Sequence, residues 1–375
     1  MRILELGKFY APERGGIETL LKIWAEGFVA AGDDVRCVVA NRRWRTEVET
    51  REGVPVVRLG SFGMAFSTSL CPAYPYSGRR WRSDVIHAHT PNPLADLAIL
   101  AAPWRTPVVI SWHSDVIRQQ ALMRLYGPIQ RAVLRRADVV VVATENHLRY
   151  SPWLTPVASK VRVIPFGLDL DRFRSTPAVG ASAARWREKA RGQTVFLNLG
   201  RLVGYKGQRF AIEALSRLPD GVLWIAGTGP LESELRELAR QCGVAERVEF
   251  LGDVPDSELP GLLHACDVFV FPSITPNEAF GLVLVEAMAC GKPLVACDLK
   301  SGVPCVCRNG VNGLVVPPSD TDALATAMRS LLDRKELRVT LGAAGKQLAE
   351  AEFSAPVMVA RYRSLFREWI AVVQG

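Results

Sequence analysis

The sequence lacks any apolar stretch long enough to cross a bilayer. The longest, residues 93 to 104, is interrupted by Asp96 and falls short of the roughly 20 residues a spanning helix needs. No leader is expected either. Met1-Arg2-Ile3-Leu4-Glu5-Leu6 runs directly into a strand-like pattern without an apolar core or cleavage site, so a cytoplasmic protein is expected. The eight cysteines show no metal or disulfide spacing. Cys37, Cys242, Cys266, Cys290 and Cys297 sit in apolar surroundings, where reduced buried thiols are expected. Cys305-Val306-Cys307 is spaced wrongly for a zinc pair or a redox motif, so no metal site is expected. There is no residue-level repeat and no nucleic-acid-binding motif, which argues against a nucleic-acid partner.

What is present is a long, ordinary globular composition: 375 residues, 49% hydrophobic and 22% charged. One core stops growing at roughly 250–300 residues, so two domains are expected. The net charge of +8 is unevenly divided. Residues 1–170 hold 22 Lys/Arg against 15 Asp/Glu, a balance of +7, and residues 171–375 hold 24 against 23, a balance of +1. The basic half points to an anionic partner: lipid headgroups, a phosphorylated acceptor or nucleic acid.

Short β-rich runs alternate with amphipathic stretches, the pattern of parallel sheets with crossover helices. In the first half strands are expected at 3–6, 35–40, 54–59, 84–87, 108–112, 139–143 and 161–164, with helices such as 17–31 and 126–136. Gly32 follows the first helix where a stop belongs. Pro165-Phe166-Gly167 breaks the alternation. It restarts with strands at 195–199, 222–226, 248–251, 268–271, 293–297 and 313–316 and helices at 320–332, 337–351 and 362–373. The expected fold is two doubly wound Rossmann-like domains, 1–170 and 171–375, facing across a cleft. The final helix, about 355–375, is expected to pack back on the first domain. Ligands then lie at the carboxyl ends of the strands.

The strongest chemical signal is the segment from Phe271 to Pro293, FPSITPNEAFGLVLVEAMACGKP. A strand ends at Phe271, a loop carries Glu278, and a helix begins near Gly281. The unpaired amides and positive dipole of that helix start suit a pyrophosphate. Glu286 follows on an apolar helix, where an unpaired charge is costly, and can accept bonds from ribose hydroxyls. Glu278, before the helix, can reach a sugar. Upstream, Gly200-Arg201-Leu202-Val203-Gly204-Tyr205-Lys206-Gly207 sets a forked cation and a point charge at a strand end. These would stabilise charge gathering on a departing nucleoside diphosphate, with no metal needed.

In the first half, Glu13-Arg14-Gly15-Gly16-Ile17-Glu18 is a flexible turn into a helix, and its glycine pair admits a ligand close to the backbone. Ser111-Trp112-His113-Ser114-Asp115 follows a strand, so His113 and, more weakly, Asp115 point into the cleft. His87 and His89 lie at another strand end. One of them lines an acceptor pocket and, with side chains taken as alternating, the other is turned away.

The Phe271–Pro293 segment resembles the carboxylate signature of glycosyltransferase family 4, retaining enzymes of the GT-B fold, with its two glutamates eight positions apart. The resemblance runs over nearly the whole chain. The 200–207 segment looks like the family's phosphate-binding loop, and Ile225-Ala226-Gly227-Thr228-Gly229-Pro230-Leu231 and Leu251-Gly252-Asp253-Val254-Pro255 look like two further landmarks. It implies a hexosyltransferase in which His113, Glu278, Arg201 and Lys206 are catalytic. Around the donor it implies Gly15, Gly16, Val254, Phe280, Gly281, Leu282 and Glu286. On the acceptor side it implies His89 and Asp115. A nucleotide sugar is the substrate, with no cofactor or metal. Lys206 is expected to be exposed. The stretch from His113 to Gln119 resembles bacterial polysaccharide mannosyltransferases that use GDP-mannose, with UDP-hexoses also open. Retention without a placed nucleophile favours same-face attack over double displacement, both remaining open. A GT-B epimerase, a phosphorylase, or a silent sugar-nucleotide-binding protein are the alternatives, although no pyridoxal-phosphate lysine environment for a phosphorylase is found.

Two segments depart or mislead. Asp169-Leu170-Asp171 fits a DxD metal motif, yet it sits in the interdomain linker and reads as a turn. Lys300-Ser301-Gly302-Val303-Pro304-Cys305 stands where the family carries Gly-Gly-hydrophobic-Pro-Glu, with Ser301 and Cys305 in place of Gly and Glu. Finally, Arg42-Arg43-Trp44-Arg45, Arg79-Arg80-Trp81-Arg82 and Trp104-Arg105 pair arginine with tryptophan. Between two of these clusters lies an uncharged stretch with Phe62, Phe66, Tyr74 and Tyr76. Together they suggest a peripheral enzyme on an anionic membrane, taking a lipid-linked or saccharide acceptor, with the aromatics covering a lipid tail.

Overall fold

The computed structural model describes the chain except for residues 14, 66, 67, 116–119 and 375 and the side chains of 120–125 and 374. The chain divides into two compact units: Met1–Leu168 with Ser354–Gly375, and Asp169–Phe353.

Unit 1 runs β1 (Arg2–Leu6), α1 (Gly16–Ala30), β2 (Asp34–Ala40), β3 (Glu47–Arg51), β4 (Val54–Leu59), β5 (Met64–Ala65), β6 (Thr68–Ser69), α2 (Ser77–Arg80) and β7 (Val85–Thr90). It continues through α3 (Pro93–Ala101), β8 (Val108–Trp112), α4 (Gln120–Arg136), β9 (Val139–Val142), α5 (Glu145–Tyr150) and β10 (Val161–Val163). The main sheet has the order β10-β9-β8-β7-β1-β2-β4-β3 and is parallel except for β3. Its central strands are buried throughout, as expected of a parallel sheet covered on both faces. β3 went unread because EVETR carries almost no apolar pattern; it is held at the edge by pairing with β4 and by Arg58 donating to Glu49. The β5–β6 hairpin is too short to leave a periodic signal.

Helix α1 buries Leu20, Leu21, Trp24, Ala25 and Phe28, a stripe at helical spacing, and ends before Gly32 at φ +83. The last helix of the chain belongs to this unit. Leu168 pairs with Ser354, and the helix at Ala355–Gln374 buries Met358, Val359, Tyr362, Leu365 and Phe366. The Phe366 ring lies 5.5 Å from Phe28, and Arg363 donates to Asp33 at 2.7 Å.

Unit 2 runs α6 (Pro177–Lys189), β11 (Val195–Leu199), α7 (Gln208–Leu215), β12 (Val222–Ala226), α8 (Glu232–Gln241), β13 (Val248–Gly252), α9 (Leu259–Ala265) and β14 (Val268–Phe271). Then come α10 (Leu282–Ala289), β15 (Leu294–Cys297), α11 (Val303–Val306), β16 (Gly313–Val316), α12 (Thr321–Asp333) and α13 (Lys335–Glu352); the helix at 355–374 is α14. Its sheet, β13-β12-β11-β14-β15-β16, is parallel throughout. In both units the winding turns outward in opposite directions from a central pair: β1 and β7 in the first, β11 and β14 in the second. All eight cysteines are free thiols; Cys242 and Cys305 are half-buried rather than enclosed.

Candidate functional site

In unit 2 two loops leave the carboxyl ends of the central pair, 200–207 after β11 and 272–281 after β14. The gap at such a reversal of strand order is where open parallel sheets take ligands. The loops touch. Ile274 N donates to Tyr205 O at 2.9 Å, and the Lys206 ammonium donates to the Glu278 carboxylate. Lys206 is only 15% exposed, which corrects the expectation of an open surface lysine. Its Nζ lies 5.3 Å from the Phe271 ring centre and 5.6 Å from that of Tyr205, so the cation rests among aromatic faces. Gly207 makes the approach possible: its φ is +69, and a Cβ there would lie 2.0 Å from the Pro272 carbonyl oxygen. The loop after β12 backs the first, with Leu202 N donating to Thr228 O at 3.0 Å.

Gly281 precedes α10, whose first amides have no intrahelical acceptor. Glu286 is half-buried on that helix, and its carboxylate makes no hydrogen bond among the described residues. Burial pushes its carboxyl up to about 7 against the pull of Arg172, with Asp256 pushing the same way as burial. Arg172 is itself anchored on the Asp256 carbonyl at 2.6 Å. Arg201 is exposed, Val254 and Leu282 are half-buried, and Phe280 is buried with its ring 5.9 Å from Phe353. The 300–305 segment lies on the Glu278 loop, Gly302 N donating to Ala279 O at 2.7 Å. Asp169 accepts from the amide of Asp171 at 3.1 Å, forming a turn in which both carboxylates are exposed.

Unit 1 carries a different chemistry at its own central pair. Glu5 of β1 accepts from His87 Nδ1 at 2.9 Å with one carboxylate oxygen and from His89 Nε2 at 2.8 Å with the other. His87 Nε2 meets Ser111 Oγ at 2.7 Å, and Ser111 Oγ meets Tyr362 Oη at 2.7 Å. His89 Nδ1 meets His113 Nε2 at 3.2 Å. These side chains are buried, and Trp24 of α1 walls the cluster, 4.8 Å from His89 and 5.8 Å from His113. His113 stacks on Phe166 at 5.3 Å. Burial pushes His87, His89 and His113 down to about 3, so all three are neutral. Burial raises the Glu5 carboxyl, opposed by its bond to His89.

The expectation that His87 and His89 point in opposite directions is wrong. Residues two apart on a strand share a face, and β7 extends to Thr90, so both imidazoles reach the same carboxylate. Asp115 accepts from Trp112 Nε1 at 2.9 Å and Ser151 Oγ at 2.7 Å, which ties one of its oxygens to the protein. Gly15 and Gly16 stand at the start of α1. Neighbouring Glu13 is clamped by Arg42 through two bonds of 2.6 and 2.7 Å, so Arg42 is engaged within the unit. Tyr74 is a core residue rather than a lipid cover: it is fully buried and its hydroxyl reaches the Gly7 and Val38 carbonyls. Arg14, Phe66 and the 116–119 part of the mannosyltransferase-like stretch lie outside the described residues. Glu5, Ser111 and Tyr362 were missed. The available signal was Glu5 itself, a charge inside a strand whose neighbours Leu4 and Leu6 are both core.

Comparison with known proteins places these features in context. The family described as Glycosyl transferases group 1 matches residues 183–348, and that described as Glycosyl transferase 4-like domain matches residues 15–167. The chain is 32% identical to O-antigen chain mannosyltransferase C of Escherichia coli, over 98% of each chain. It is 34% identical to a D-rhamnosyltransferase of Pseudomonas aeruginosa, over 98% of this chain and 92% of that one. It is 31% identical to a GDP-mannose-dependent alpha-(1-6)-phosphatidylinositol monomannoside mannosyltransferase of Mycobacterium tuberculosis, over 98% of each. Among solved structures, Anabaena HepE in complex with UDP has a similar fold, with a TM-score of 0.78 at 22% identity over 98% of this chain and 100% of that one.

The contact between the two loops of unit 2 is testable without substrate. Gly207→Ala combines a strained backbone with a Cβ against the Pro272 carbonyl, and should cost at least about 2 kcal/mol in chemical denaturation. A variant as stable as the wild type would mean that the loops do not close on each other as described.

Proposed function

The chain belongs to the Glycosyl transferases group 1 family, and from that premise we propose that it is a retaining hexosyltransferase whose second unit holds a nucleoside-diphosphate sugar. The observation that carries this reading is the pairing of Lys206 with Glu278 at the reversal point of the unit 2 sheet, next to the start of α10. Without ligand, Glu278 neutralises Lys206. With a diphosphate at the α10 amides, Lys206 and the exposed Arg201 turn their charge to phosphate oxygens. That charge grows as the glycosidic bond to phosphate breaks, so the cations favour the transition state over bound substrate. Glu278 is then released toward the sugar, Glu286 accepts from the ribose hydroxyls, and Val254, Phe280 and Leu282 surround the nucleotide. Gly15 and Gly16 admit the diphosphate close to the α1 backbone, and His113 offers an acceptor to a sugar hydroxyl. His89 and Asp115 act on the acceptor side. Same-face attack, with the departing phosphate oxygen taking the acceptor's proton, fits a site in which no carboxylate is assigned as nucleophile.

GDP-mannose is the favoured donor, supported by the mannosyltransferases among the relatives, and a UDP-hexose is the second candidate, supported by the UDP held by HepE. The acceptor is a lipid-linked or polysaccharide glycan, in keeping with the O-antigen and phosphatidylinositol enzymes. A thermal-shift panel of GDP, UDP, ADP and dTDP in EDTA tests the donor and the metal-free reading together. One nucleotide, GDP first, should stabilise strongly, transfer should persist in EDTA, and Lys206→Ala should lower kcat/KM by roughly 10²–10³-fold. No shift from any nucleotide, wild-type transfer by Lys206→Ala, or a complete loss in EDTA that Mg²⁺ reverses would each overturn it.

Glu286 sets a pH dependence. Ribose hydroxyls donate to its ionised form, and its carboxyl titrates at about 7 without ligand. Nucleotide binding should therefore strengthen as pH rises from about 6 to 8. Calorimetry of Glu286→Gln should lose that component and keep only the titration of the phosphate. An unchanged pH profile in the variant would remove Glu286 from the site.

No helix among the described residues is long and apolar enough to cross a membrane. The proposed location is peripheral, on an anionic cytoplasmic leaflet, through unit 1. Trp104 is 82% exposed, Phe62 73% and Tyr76 67%, and Arg79, Arg80 and Arg82, which follow Tyr76 in sequence, are exposed too. Trp81 is half-buried against the core and Arg42 is paired, so the surface is narrower than the sequence suggested. Liposomes containing anionic lipid should pellet the protein at low salt, release it near 0.5 M salt, about where screening becomes short-ranged, and bind an Arg79/Arg80/Arg82→Ser variant poorly. Protein that stays in the supernatant at low salt would favour a soluble acceptor.

A further inference from the structure

The buried chain of polar groups in unit 1 obeys a strict proton count. Tyr362, Ser111, His87, Glu5, His89 and His113 are joined in that order by five links of 2.7, 2.7, 2.9, 2.8 and 3.2 Å. Two hydroxyls and three neutral imidazoles bring five hydrogen-bonding protons, and an ionised carboxylate brings none. With Glu5 ionised, only one arrangement satisfies all five links, and in it every proton points along the chain toward Glu5. His87 is protonated on Nδ1, so its Nε2 accepts from Ser111, which in turn accepts from Tyr362. His89 is protonated on Nε2, so its bare Nδ1 accepts from His113.

We propose that Glu5 fixes the tautomer of His113 through His89, holding His113 as the Nε2–H form with an unprotonated Nδ1 at the carboxyl end of β8. Glu5 and His89 are then positioning residues for a hydrogen-bond acceptor. The opposite His113 tautomer would set two bare nitrogens against each other 3.2 Å apart. Nδ1 of His113 makes no hydrogen bond among the described residues, so its lone pair is available to a ligand. A neutral acceptor takes a hydroxyl and disfavours phosphate oxygens, which gives this position selectivity for the sugar rather than the diphosphate. That selectivity rests on the glycosyltransferase reading above; the tautomer does not.

The chain has five histidines, so ring nitrogens in the full-length ¹⁵N-labelled protein can be assigned with single-histidine variants. Long-range ¹H–¹⁵N spectra at pH 7 should show His87 as the Nδ1–H form and His89 and His113 as Nε2–H forms. In Glu5→Gln the carboxamide both donates and accepts, so one arm must reverse: either His87 switches, or His89 and His113 switch together. Glu5→Asp should keep the wild-type tautomers. On the enzyme reading, Glu5→Gln lowers kcat about 10–100-fold, as loss of a group that orients an active imidazole does, with the KM for donor little changed. His113 protonated on Nδ1, a histidinium in the cluster, or unchanged tautomers in Glu5→Gln would overturn the proposal. So would a stoichiometric divalent ion in the purified protein that Glu5→Gln loses, because Glu5, His87 and His89 lie close enough to ligate one and the ion would replace their protons. If Glu5→Gln does not fold, the wild-type spectrum alone decides. The predicted tautomers without any glycosyl transfer would refute the enzyme reading and leave the positioning intact.

Discussion

A parallel sheet wound outward in both directions cannot cover the carboxyl ends of its central pair. The crossover from one central strand leaves to one side and that from the other leaves to the opposite side, and the loops between them are left facing a gap. In unit 1 this gap lies at β1 and β7, and in unit 2 at β11 and β14. The two polar clusters described above stand at these two places. Glu5, His87 and His89 belong to the first pair, with Ser111 and His113 on the adjacent strand or just after it. Lys206 and Glu278 sit on the loops of the second. The arrangement follows from strand order, and strand order follows from hydrophobic runs separated by helices of crossover length.

Much of this was legible from those runs. The parallel strands were read to within a few residues because buried strands are continuous in Val, Ile and Leu, as in Val139–Val142. The places where reading failed have physical reasons. β3 is an exposed edge strand held by backbone pairing and cross-strand ions, neither of which leaves an apolar pattern. β7 was ended three residues early because histidine is a weak strand signal, and that error, added to a wrong direction for residues two apart, split His87 from His89. In unit 2 the candidate residues were found, but their mutual contact was not. That Lys206 is half-buried against Glu278 depends on two loops distant in sequence closing over Gly207, a fact of register and backbone angle.

The Glu5 cluster also explains why the C-terminal helix returns to unit 1. A carboxylate and three imidazoles in a dry interior are tolerable only when their hydrogen bonds are met, since a half-satisfied network costs more than an apolar core. In the proposed arrangement Ser111 gives its proton to His87, and its buried oxygen accepts from Tyr362 on α14. The same ring lies 5.0 Å from His87 and 5.4 Å from Trp24, so one residue closes both the polar chain and the aromatic wall. Packing alone would accept a phenylalanine at position 362; the hydroxyl is what the chain of donors requires.

The two sheets thus present opposite chemistries built on one topology. Unit 2 offers two cations and the amides of a helix start, all suited to an anion. Unit 1 offers neutral imidazoles held uncharged by burial. A nucleotide sugar is likewise divided into an anionic diphosphate and a neutral polyhydroxylated ring. A cationic histidine at position 113 would itself attract an anion, and this end would lose its neutral character. Holding it neutral requires a dry pocket, and a dry pocket requires an internal acceptor for the protons those imidazoles keep. In the proposed arrangement Glu5 is that acceptor, which accounts for a carboxyl group inside the central strand β1.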